Sequence, residues 1–172
     1  MDLDNNKPDP GVNENISDPG ADVSIFTPLF DAQLNQTDRF ANLIFLLGVN
    51  NAFTAINKVD ESIFLKQENE LSDREELAFT YDIAQTLSTA NWIYLTAGAI
   101  IFETSFNRLK QKEALMPEDP SLTDIETLSG RKMITTGNLL KVIGYMLSAT
   151  GFEMIADGAK RDLEALDSPE NQ

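Results

Sequence analysis

Asp73, Glu75 and Glu76, then Glu118 and Asp119, then Asp124 and Glu126, are the groups whose type and spacing could support general acid–base work. A pair of carboxylates becomes an acid and a base only where a pocket shifts one pKa away from the other. These seven lie where helices start or turn. There an acid favours the positive end of the helix dipole, so their expected role is capping rather than catalysis. The chain has no histidine and no cysteine. That removes the commonest general base, the thiolate nucleophile and the usual zinc ligands. No phosphate-cradling glycine loop and no nucleophile elbow can be found. The expectation is a non-catalytic protein with no cofactor and no metal site.

A second set of polar groups, Asn50, Asn51, Asn91 and Asn138, interrupts otherwise apolar runs. Such residues can line a ligand site, but more commonly they fix helix register at some cost in stability. Trp92 and Tyr94 read as core or bundle edge, since no basic residues are interleaved to make a stacking platform. Thirteen basic residues stand against 28 acidic ones, a net charge of −15. That balance argues against nucleic acid and against an anionic surface as partner.

The elements that must position these groups are three helices. Thr27-Pro28 has the form of an N-cap followed by proline, with Thr37 or Asp38 as a later alternative, so the first helix spans 27 or 38 to 66. Ser72-Asp-Arg-Glu75 is a capping box and opens a helix over 73–113. Met116-Pro-Glu-Asp-Pro120 breaks it, and Ser121 with Asp124 caps a third helix over 121–166. Residues 168–172 read as a frayed end. Residues 1–26, with six acids, three prolines and few large apolar groups, read as a disordered acidic tail. They show neither the basic region nor the apolar run of a signal peptide, so secretion by that route is not expected.

On the third helix Gly130, Gly137, Gly144, Gly151 and Gly158 recur every seven residues. An interior glycine costs a helix about 1 kcal/mol relative to alanine, and close approach of another helix is the natural compensation. A strict seven-residue stripe implies a left-handed wrap, as in a coiled coil. The unit Gly137-Asn-Leu-Leu-Lys-Val-Ile-Gly144 resembles the repeated glycine-asparagine-x-leucine-x-x-isoleucine-glycine units of small uncharacterised proteins of spore-forming bacteria. The likeness covers about thirty residues of this helix, departs at Lys141 from the more neutral residues usual there, and implies no activity.

Small residues also recur by sevens on the other helices: Ala41, Gly48 and Ala55, then Ala84, Asn91, Gly98 and Ser105. Matching them predicts an all-α, up-down-up antiparallel bundle with layers 41/98/137, 48/91/144 and 55/84/151. The packing positions are Gly48, Asn91, Gly98 and the five glycines of the third helix. This register sets Glu103 level with Lys132, Glu75 with Lys160, Lys66 with Asp73 and, unfavourably, Asp82 with Glu153. The uncharged runs 40–57 and 83–102 are long enough to cross a bilayer. Their amides and hydroxyls hold mean hydropathy to roughly 1.2–1.3, and Lys141 and Glu153 interrupt the third helix. On balance the sequence points to a cytoplasmic protein that self-associates or packs against a partner helix. A small membrane protein is the alternative.

Overall fold

The computed structural model describes residues 27–68 and 70–168, so the expected disordered tail and most of the frayed C-terminus lie outside the described residues. The described chain is all-α: α1 Pro28–Gln67, α2 Asp73–Ala114 and α3 Leu122–Leu166, running up, down and up. The caps explain the starts. Thr27 Oγ1 accepts from the Phe30 N–H with Pro28 next in line, which selects the earlier start for α1. At α2 and α3, Ser72 with Glu75 and Ser121 with Asp124 complete reciprocal capping boxes. At 40 to 45 residues, each helix is about 60 Å or slightly more in length.

α2 is the central helix, with α1 packed on one side of it and α3 on another. α1 presents Leu34, Ala41, Gly48 and Ala55, all buried, at intervals of seven. A Cβ built on Gly48 would lie 2.6 Å from the Tyr94 ring and 3.2 Å from the Ala90 carbonyl oxygen. The α2 stripe towards α1 is therefore Ala90, Ala97 and Thr104, each buried. This is one residue away from the expected pairing of Gly48 with Asn91.

Towards α3, α2 uses the neighbouring stripe of Ala84, Asn91, Gly98 and Ser105, as expected from sequence. Its partner differs from expectation. The Gly98 position meets Val142 at 3.4 Å and the Tyr145 ring at 3.5 Å, and Thr135 Oγ1 donates to the Ser105 carbonyl at 3.3 Å. Steps of seven then bring Ala149 level with Asn91 and Ala156 level with Ala84, with both alanines buried. A Cβ on Gly130, Gly137, Gly144, Gly151 or Gly158 would meet nothing within 4 Å. The layers 41/98/137, 48/91/144 and 55/84/151 are thus corrected at α3: Val142 stands where Gly137 was expected, and the glycine stripe faces away from α2. The physical reason is that α2 cannot seat two helices on one stripe. It gives adjacent stripes, about 100° apart, to α1 and α3. The outer two helices then meet each other at the Phe45–Tyr145 contact, with ring centroids 6.5 Å apart.

Size sorts the other way from a water-soluble core. Among the described residues Leu34 is the largest hydrophobic residue that is buried; the other buried hydrophobics are alanines, joined by glycine, serine and threonine. The large aliphatic side chains point outward: Leu43 and Leu47 are each 62% exposed, Leu147 65%, Met154 70% and Met133 74%.

Candidate functional site

The candidate carboxylates are accounted for at the helix ends. Glu75 accepts from the Ser72 N–H at 2.9 Å and the Ser72 hydroxyl at 2.6 Å, and these bonds hold it below its ordinary pKa. Glu76 pairs with Lys66 at 2.5 Å, in place of the expected Lys66–Asp73 match. Asp124 accepts from Lys112 at 2.7 Å and caps Ser121, and both lower its pKa. Asp73, Glu118, Asp119 and Glu126 are exposed. Among the described residues no three acids converge as metal ligands would.

The ion pairs collect at the two ends of the bundle. One end holds Lys58–Asp82, Lys66–Glu76 and Arg74–Asp167; the other holds Arg108–Asp38, Lys112–Asp124 and Lys132–Glu113. Lys132 therefore takes Glu113 rather than Glu103. Lys160 pairs with Glu164 of its own helix rather than with Glu75. The feared Asp82–Glu153 opposition does not arise. Asp82 turns to Lys58 at 2.6 Å, while Glu153 accepts from the Trp92 indole N–H at 2.7 Å.

Of the four asparagines, Asn51 and Asn91 bond carbonyls on their own helices, those of Leu47 and Leu87. Asn50 is exposed. Asn138 alone bridges helices, donating to Ser105 Oγ at 2.7 Å. Asn91, named from sequence as a packing residue, lies half-buried on the α2 stripe towards α3.

Sequence reasoning missed one feature, a crevice of about 210 Å³ between α1 and α3 over α2. Gly98 and Ile101 form its floor, Phe45 and Tyr145 a wall, and Asn42, Asn138 and Lys141 its polar lining. Tyr94 supports the wall, with its ring 4.7 Å from Phe45 and 5.3 Å from Tyr145. Lys141 has no hydrogen bond or ion pair among the described residues, although the chain carries 28 acids. Its signal in the sequence was a lone cation in an apolar run opposite a small residue. A wider, more polar groove on the other side of α2 is lined by Gln85, Thr89, Trp92 and Glu153. With a lysine, two amides and two aromatic rings along its lining, the first crevice has the groups to bind a ligand.

No protein family, curated protein or solved structure matches the chain.

Proposed function

We propose that the chain is a non-catalytic integral membrane protein whose three helices are held together by seams of small residues and whose large apolar side chains meet lipid. The observation that carries this reading is the inverted sorting of size. In water, leaving a large aliphatic side chain exposed forgoes about 1.5–3 kcal/mol, and monomers rarely carry a contiguous apolar patch beyond a few hundred Å². In a bilayer lipid tails are as apolar as leucine, so small residues belong at the helix interface and large ones outside. α1 and α3 each contain an 18-residue stretch of mean hydropathy 1.3, of which only 17% and 11% is buried. A core helix of a soluble protein would be mostly buried. The uncharged run 83–102 of α2 spans about 30 Å, the thickness of a hydrocarbon core. α2 tolerates a more polar sequence because two neighbours shield it.

Lys141 and Glu153 favour a second reading, a soluble assembly in which further copies cover the same outer faces. Lys141 nevertheless stands level with Gly98, about one turn inside the edge of the uncharged band, and a lysine there can reach the edge by snorkelling. Fractionation of the native host tests the choice. The membrane reading expects the protein in the membrane pellet, retained through an alkaline wash and released by detergent. Recovery in the supernatant as a detergent-free oligomer would overturn it and support the soluble assembly.

A further inference from the structure

The crevice between α1 and α3 combines three features that the packing of the helices does not require. It is open, it is walled by aromatic rings, and it is edged by an exposed cation that pairs with no acid among the described residues. The Asn42 side chain is likewise without a hydrogen bond among the described residues, and Asn138 spends one N–H on Ser105 Oγ. A lysine ammonium flanked by amide donors is the chemistry that receives an oxyanion. At about 210 Å³ the space fits a head group and not a whole lipid.

The chain of such a ligand has a path. From Lys141 towards the middle of the uncharged band, α3 presents Gly144 and Gly151, where no atom comes within 4 Å of the Cβ position. Exposed Leu140, Leu147 and Met154 edge that path. The head would lie near the band edge and the tail would run towards its centre, as in a bilayer leaflet. We infer that this crevice binds a phosphate-bearing amphiphile, with Lys141, Asn42 and Asn138 on the phosphate and the glycine face of α3 beneath the acyl chain. The inference rests on the membrane reading for the source of the ligand; the oxyanion chemistry of Lys141 does not depend on it.

The test is equilibrium binding of radiolabelled hexadecyl phosphate to the full-length protein in neutral detergent, with inorganic phosphate as competitor. Saturable binding of one equivalent is expected. Lys141→Met should weaken it about tenfold or more, the factor expected for one charge-assisted hydrogen bond, and Lys141→Arg should largely retain it. Gly151→Leu, which fills the tail path ten residues (about 15 Å) along α3 from the lysine, should weaken hexadecyl phosphate and leave binding of butyl phosphate unchanged. Equal affinity in wild type and Lys141→Met would overturn the site. Competition by inorganic phosphate at equal concentration, with no effect of Gly151→Leu, would overturn the amphiphile in favour of a free anion. A protein that needs no detergent yet binds through Lys141 would overturn the membrane reading alone. A membrane-extracted protein indifferent to Lys141→Met would overturn this inference alone.

Discussion

Two glycine-to-alanine substitutions, Gly48→Ala and Gly144→Ala, should move stability in opposite directions although both sit mid-helix in apolar surroundings. Each gains about 1 kcal/mol of helix propensity. At Gly144 nothing lies within 4 Å of the new methyl, so the gain is kept. At Gly48 the methyl would stand 2.6 and 2.7 Å from two Tyr94 ring carbons. That ring is itself wedged between Phe45 and Tyr145, and overpacking of this kind costs about 1–3 kcal/mol. The difference between the variants is therefore about 1–3 kcal/mol, the propensity gain cancelling. For a chain of this size that corresponds to about 2–12 °C between their midpoints. Thermal unfolding of the detergent-solubilised protein, followed by circular dichroism, reads it directly. Equal shifts would refute the close approach of Tyr94 to α1. A loss at Gly144 would refute the openness of the glycine face and show that another helix covers it.

Acid should loosen the helix ends. Asp167, paired with Arg74, and Asp124, paired with Lys112 and Ser121, both titrate below their ordinary value of 3.8 in the folded chain. Their contribution is then fully present above that value and is lost as pH falls through the lower, folded one. Asp124→Asn should lower the midpoint at neutral pH and flatten its dependence below pH 4, as melting curves across pH 3–7 would register. Among the ion pairs, Arg108–Asp38 should matter more than Lys66–Glu76. The former is about one quarter exposed and its Asp38 also accepts from the buried Thr104 hydroxyl, whereas the latter is at least half exposed. Arg108→Ala should cost about 1–3 kcal/mol and Lys66→Ala at most about 1 kcal/mol, by denaturant titration.

Much of the fold is legible in the sequence because caps and breakers are local. Ser72-x-x-Glu75 and Ser121-x-x-Asp124 place two helix starts to within a residue, and the two prolines at 117 and 120 close α2. The small-residue heptad of α1 is buried, and that of α2 lies towards α3 instead of serving both neighbours. The α3 stripe was obscured for a physical reason. Thr135, Val142, Ala149 and Ala156 mix three residue types, while the glycines beside them repeat without exception. Periodicity shows that a helix has a distinct face, but which face a neighbour takes depends on how α2 divides its surface between two partners. The crevice was illegible for a related reason. Asn42 and Lys141 are almost one hundred positions apart, and only the packing of α1 and α3 on either side of Gly98 brings them to one cavity.

What the outer faces of the uncharged band touch decides whether this bundle lies in lipid or in water. The absence of cysteine makes single-cysteine labelling clean. Spin labels at Leu43, Leu147 and Met154 of the reconstituted protein, with others at Glu76 and Glu118, allow collision rates with oxygen and with a water-soluble nickel complex to be compared. The three band positions should be accessible to oxygen and closed to nickel, with the reverse at the two ends; nickel access at Leu43 and Leu147 equal to that at Glu118 would contradict a lipid-facing surface.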